Sequence, residues 1–216
     1  MFGLMSHQDR MLFRSSFFFI GILSVFIFSC SSDIKSTDLQ TFKIKGIAQG
    51  TTYTIQVVDS SLHISKFQID SLLFAFDEKL STYKTGSLIS RFNQESFKDT
   101  VLGADDLFVQ MLKLSDSVFR WSEGFFDPSI KPVVDLWAIG TDAQNKPKQV
   151  QIDSVLQYIG YTRGVHFSIN DVDSLIKIEK KTPGFELDFN AIAQGYSVDL
   201  LVDFLKLYGH RNVYVE

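Results

Sequence analysis

Four stretches of the chain carry more glycine, acid and small-residue punctuation than a core requires. They are Gln49-Gly50-Thr51-Thr52-Tyr53, Ser81-Thr82-Tyr83 through Ser87 to Asn93, Gly124-Phe125-Phe126-Asp127-Pro128 through Trp137, and Asp188 to Asp199. Taken singly, each reads as turn chemistry, because glycine and Asp-Pro are ordinary turn formers. The last stretch offers the most definite chemistry. Asp188 stands at the mouth of a helix beginning near Ala191, and the free N–H groups and dipole of a helix N-terminus favour an anion such as a pyrophosphate. Asp188 is itself anionic, so it is suited to accept hydrogen bonds rather than to touch phosphate; a plain N-cap is the alternative. Tyr83 and Phe126 read equally as core aromatics. His63, His166 and His210 fall in three unrelated contexts without a close acid at metal-ligand spacing, each expected on the surface or half-buried, which speaks against a metal hydrolase.

The N-terminus sets the compartment. Arg10 and Arg14 precede an apolar run from Phe17 to Phe28 that is short for a permanent membrane helix and has the form of a signal-peptide core. It ends in Ile27-Phe28-Ser29-Cys30, similar to a lipobox, so residues 1–29 are expected to be an export signal and Cys30 the lipidated residue. An N-terminal anchor helix with an incidental cysteine is the alternative, and either places the remainder outside the cytoplasm, in a bacterial envelope and facing the periplasm. Residues 30–40 read as a polar tether. Cys30 is the only cysteine, which leaves none for a disulfide, a thiolate–metal site or a nucleophile. A formal net charge of −4 and the lack of a dense basic block exclude nucleic acid as the expected partner; Lys180-Lys181 reads as a solvated turn.

The elements that would position these stretches follow from periodicity. Phe42 to Ala48 and Thr52 to Val58 form a strand pair around Gly50. Leu72, Leu73, Phe76 and Leu80 give helical spacing over residues 66–80, and Phe108, Met111, Leu112, Ser115, Val118 and Phe119 do so over 105–121. A shorter helix is expected over 153–159, ending at Gly160. A hairpin joins 166–169 to 175–179, and a βαβ-like unit places strand 185–188, helix 191–208 and strand 212–215 in succession. The fold class is therefore α+β, with a mixed central sheet and packed helices over residues 41–216.

The order and spacing of the four stretches resemble the ApbE family of FAD:protein FMN transferases, over nearly all of Thr41 to Glu216. The family pattern is Met-Gly-Thr-x-Tyr, then Ser-x-Tyr with Ser-Glu-x-Ser-x-Phe-Asn, then Gly-x-Phe-Asp-Pro-Thr leading to a tryptophan, then Asp-Leu-Gly-Gly-Ile-Ala-Lys-Gly-Tyr-x-x-Asp. This chain departs from it at Gln49 for methionine, Leu88 for the acid, Asn190-Ala191 for the glycine pair and Gln194 for lysine. Glutamine can only hydrogen-bond where lysine would neutralise phosphate charge.

The resemblance implies a two-lobed, T-fold-like flavin transferase fold with FAD in a cleft between the lobes. Gln49, Tyr83, Phe125, Phe126, Asp127, Asp188 and Gln194 would line the FAD pocket, and Ala191 would offer a backbone carbonyl to Mg²⁺. It implies Mg²⁺-dependent transfer of FMN from FAD to a threonine hydroxyl of a membrane redox protein, with release of AMP. A flavin-binding lipoprotein without transferase activity is the alternative, and a purely structural surface lipoprotein a third reading. The chain stops at Glu216 inside an expected strand, so the domain is expected to be incomplete, with the remaining Mg²⁺ ligands further on and the 216 residues alone a poor catalyst.

Overall fold

A computed structural model describes residues 38–216 except 95, 98, 141–145, 162–164 and 174. The signal segment and Cys30 lie outside the described residues, among which no helix is long and apolar enough to cross a membrane.

β1 (Gln40–Ala48) and β2 (Thr51–Asp59) pair antiparallel with Ala48 opposite Thr51, so Gln49 and Gly50 alone make the turn. Both have positive φ, 53° and 76°, the signs of a type I′ hairpin turn, which matches the twist of the flanking strands. Alternation along β2 buries Tyr53, Ile55 and Val57 on one face. β6 (Val213–Val215) pairs antiparallel with β2 to give the order β1-β2-β6.

A second sheet, β3 (Asp99–Gly103), β5 (Leu175–Lys180) and β4 (Phe167–Val172), has the order β3-β5-β4 and is again antiparallel throughout. The expected α+β class thus holds, while among the described residues the single mixed sheet is replaced by two three-stranded antiparallel ones.

Two helices tie the sheets together. α1 (Lys66–Leu80) opens on a capping box in which Ser65 and Gln68 satisfy each other's backbone N–H groups. Its Ile69 and Leu73 pack under the first sheet with Ile55 and Val57, while Phe76 and Leu80 enter the aromatic core of Phe92, Phe108, Phe167 and Phe185 under the second. α2 (Leu88–Asn93) is capped by Ser87, and α3 (Leu107–Trp121) by Asp106, whose carboxylate also takes the Lys79 ammonium at 2.7 Å. A 3₁₀ turn (Pro128–Ile130) runs into α4 (Lys131–Leu136), followed by α5 (Gln149–Leu156). α6 (Asn190–Leu207) mirrors α1, placing Ala193 in the second core and Leu201 and Leu205 in the first.

Four local expectations are corrected. The helix expected over 153–159 lies at 149–156, where Gln151 reaches back to the Lys148 N–H at 2.8 Å and fixes the earlier start. Residues 185–188 belong to no strand, so the expected βαβ unit does not form. The side-chain amide of Asn93 takes the place of a neighbouring strand, accepting from Leu187 N–H at 2.8 Å and donating to Leu187 C=O at 2.9 Å.

Lys180 is not part of a solvated turn. It ends β5, is 9% exposed, and its ammonium donates to the carbonyls of Phe92 at 3.0 Å, Asn93 at 3.3 Å and Gln94 at 3.1 Å. Those carbonyls close α2, where a cation complements the negative end of the helix dipole.

His63 and His210 are not in unrelated contexts. His210 is fully buried, its Nδ1 stands 2.8 Å from an Asp59 carboxylate oxygen, and its Nε2 accepts the His63 backbone N–H at 3.2 Å, with the two rings stacked. Asp59 is held below the ordinary carboxylate value, chiefly by its hydrogen bond with His210.

Candidate functional site

Asp188 sits where three segments meet. It is 8% exposed, and its carboxylate accepts the Asn190 backbone N–H at 2.7 Å and the Asn190 side-chain amide at 3.2 Å. Its own N–H donates to Pro128 C=O at 2.7 Å. The N-cap position proper is Phe189, which makes no side-chain cap bond, so Asp188 satisfies a first-turn donor of α6 from one residue further out. Burial raises its pKa above the ordinary carboxylate value, opposed by the hydrogen bond from Asn190 and the charge of Lys131.

The first turns of α6 open onto a cleft of about 510 Å³, within the range of small-molecule sites. Gln49 and Tyr83 line it from the β1–β2 turn and the α1–α2 connection, Asn190 and Gln194 from α6, and Asp77 and Phe76 from α1. Tyr83 is 77% exposed, a ring face available for stacking rather than a core aromatic. Its segment is fixed by Ser87 Oγ donating to Ser81 C=O at 2.7 Å and by the Asn190 amide donating to Thr82 Oγ1 at 3.3 Å. Gly140, with φ of 80°, passes so close that a Cβ there would stand 3.2 Å from the Tyr83 hydroxyl.

Gln49 joins the hairpin turn to α6. Ser197 Oγ lies 3.1 Å from Gln49 Oε1 and 2.7 Å from Gln194 C=O, and Gln49 Nε2 is buried with no partner among the described residues. A hydroxyl has one hydrogen, and the Gln194 carbonyl can only accept it. Turning the Gln49 amide over gives its nitrogen the Ser197 oxygen and leaves its carbonyl as the unpaired acceptor, so the site's hydrogen-bonding sense at this position is set by Ser197.

The structure brings Gln49, Tyr83 and Gln194 to one cleft beside Asp188, but does not bring Phe125, Phe126 and Asp127 into its lining. Phe125 is 95% exposed, and Phe126 is half-buried with its N–H on Ser122 Oγ. The Asp127 carboxylate is spent internally, accepting from Ser129 N–H at 2.8 Å, Ser129 Oγ at 2.6 Å and Tyr161 N–H at 3.3 Å. That loop meets the site through Pro128 C=O on Asp188. Ala191 is exposed in the first turn of α6. Asp77 lies outside all four stretches and was not legible as a site residue, whereas Thr82, Asn190 and Ser197 lie within them but were not singled out.

The arrangement suits a ligand that combines a planar ring, for Tyr83, with hydrogen-bonding edges, for Gln49 and Gln194, beside the positive end of the α6 dipole, where the N–H groups of Asn190, Ile192 and Ala193 are already bonded to Asp188 and Phe189.

Comparison with known proteins bears on this directly. The FAD:protein FMN transferase of Haemophilus influenzae is 25% identical over 186 residues, covering 83% of this chain and 53% of that protein. The FAD:protein FMN transferase of Vibrio cholerae is 28% identical over 177 residues, covering 80% and 51%. The chain thus spans about half the length of the curated relatives it matches. Among solved structures, flavin transferase ApbE from Vibrio cholerae matches with a TM-score of 0.70 at 26% identity, over 82% of this chain and 57% of that one. The apo form of Pseudomonas stutzeri flavinyl transferase ApbE gives 0.69 at 27% identity, over 82% and 56%. The ApbE family model itself matches residues 49–216, every one of the four motif stretches included, and the chain belongs to the ApbE family.

Proposed function

We propose that this chain acts in FMN transfer from FAD to a protein. The observation that carries the reading is the coincidence of family membership with one cleft that gathers Gln49, Tyr83 and Gln194 at the N-terminal turn of α6, next to Asp188. The chemistry follows from what FAD offers. The oxygen of a threonine hydroxyl attacks the phosphorus of the FMN half, the bridging P–O bond breaks, and AMP leaves with the bridging oxygen while the hydroxyl proton goes to a base. The dipole of α6 favours the pyrophosphate, Asp188 accepts from ribose or adenine donors, and Tyr83 stacks on a ring.

Mg²⁺ is the family's expected ion, but the described residues do not fit a resident one. No three His, Cys, Asp or Glu side chains among them converge on a metal-sized site, and Ala191 supplies one neutral oxygen, too few for a cation that prefers octahedral oxygen coordination. No step is therefore assigned to the ion. The acceptor is proposed to be a threonine-bearing subunit of a membrane redox complex, reached by a protein held at the envelope through lipid on Cys30 and facing the periplasm.

The test is to co-express the full chain with such an acceptor and read the acceptor by mass spectrometry. An FMN phosphoester mapped to a threonine supports transfer. FAD bound without any mass gain on the acceptor supports flavin binding alone, and no FAD-dependent thermal shift overturns both.

A further inference from the structure

Three polar residues share one side of α6 over its first two turns: Asn190, Gln194 and Ser197 stand at i, i+4 and i+7. Asn190 and Gln194 line the cleft, and Ser197 lies just beyond, with its hydroxyl between Gln194 and Gln49. The two outer members reach to different walls.

The Asn190 side-chain amide has two hydrogens. One goes to the Asp188 carboxylate at 3.2 Å and the other to Thr82 Oγ1 at 3.3 Å. Thr82 directly precedes Tyr83, so this bond sets the exposed ring against α6. The shape of that segment is held separately, by the Ser87 and Ser90 hydroxyls donating to the Ser81 carbonyl. At the other end, Ser197 spends its hydrogen on Gln194 C=O at 2.7 Å and stands 3.1 Å from the Gln49 amide, tying the tip of the β1–β2 hairpin to the same helix. The two cross-links span 108 and 148 positions of sequence, so neither is a by-product of helix formation. Helix propensity would not choose these residues either, since Asn and Ser both rank below Ala. Ser197 is 4% exposed, where a hydroxyl is costly unless it is hydrogen-bonded.

We propose that Asn190 and Ser197 are positioning residues that hold the two walls of the cleft, carrying Tyr83 and Gln49, against α6 before a ligand enters, an assignment that rests on the reading of this cleft as the FAD site. Asn190 acts through Thr82 on Tyr83, and Ser197 acts directly on Gln49. Walls already fixed in the free protein lose little freedom on binding, so affinity rises without any added contact to the ligand.

The experiment titrates FAD into the full-length chain and follows affinity in single and double variants. Asn190→Ala and Ser197→Ala should each weaken binding about 3- to 10-fold, the loss of one hydrogen bond. Alanine is the best helix former, so melting of α6 is not the cause. Asp188 also keeps the residue-190 backbone N–H, at 2.7 Å in the wild type. Thr82→Val, which removes the acceptor and leaves α6 untouched, should match Asn190→Ala. The decisive readout is non-additivity: in a Tyr83→Ala background Asn190→Ala should cost about twofold or less, and Ser197→Ala likewise in a Gln49→Ala background.

Losses that multiply in full in the double variants would show damage unrelated to the walls and overturn the proposal. Unchanged affinity in Asn190→Ala or in Ser197→Ala overturns the assignment of that residue. If the wild type binds no FAD, or if Tyr83→Ala and Gln49→Ala bind it as tightly as the wild type, the reading of the cleft fails first and this assignment falls with it.

Discussion

Replacing Asn93 by alanine should unfasten the segment that carries Asp188. Asn93 makes two hydrogen bonds to one residue, donating to Leu187 C=O at 2.9 Å and accepting Leu187 N–H at 2.8 Å, and Leu187 is fully buried. The variant leaves two buried backbone groups without partners, each costing about 1–3 kcal/mol, so a loss of about 2–6 kcal/mol is expected before any rearrangement. In a domain of this size that lowers the melting midpoint by about 2–4 °C for each kcal/mol. Urea and thermal unfolding followed by circular dichroism measure the loss, with Asn170→Ala on the exposed side of β4 as a control expected to stay within about 0.5 kcal/mol. Because Asp188 follows Leu187 directly, the variant should also weaken FAD binding beyond what its stability loss explains. An Asn93→Ala protein as stable as the control would refute the view that this amide substitutes for a neighbouring strand.

Two further outcomes follow from buried charge. Asp188 has a folded pKa above its ordinary value of 3.8, so the stability it contributes while neutral is lost as pH rises through that folded value. Asp188→Asn cannot ionise, and its stability relative to the wild type should grow over that pH window; a difference that shrinks with pH, read by urea unfolding at several pH values, would reverse the assigned cause. Lys180→Met keeps most of the side-chain volume but removes the ammonium from three carbonyls that close α2, and should cost about 1.5–3 kcal/mol; a neutral result would show that water satisfies those carbonyls.

The sequence was most readable where one face of an element is buried. α1, α3 and α6 fall within two residues of the spans set by apolar spacing, and the β1–β2 hairpin is longer than expected by one or two residues at each end. It was least readable where a side chain does the work of backbone. Residues 185–188 have the composition of a strand, yet their partner is the Asn93 amide, ninety-odd positions earlier. Lys180 looks like surface charge until the end of α2 is placed over it, and His210 until Asp59 and the His63 N–H close around it.

The site divides in the same way. Three motif residues from separate stretches, Gln49, Tyr83 and Gln194, meet in one cleft, whereas Asp127 from an equally prominent motif spends its carboxylate on Ser129 and the Tyr161 N–H. Asp77 lies outside every motif stretch, and Ser197, inside the last one, gains its role only when the hairpin turn sets Gln49 against it.

The most direct test of the account is a single-turnover reaction of the full chain with FAD and a threonine-bearing acceptor, quantifying AMP released against FMN attached, in the wild type and in Asp188→Ala. The account predicts AMP and flavinylated threonine in equal amounts from the wild type, and neither from the variant because it no longer holds FAD. AMP released without flavinylated acceptor, or an Asp188→Ala protein that transfers FMN at the wild-type rate, would contradict it.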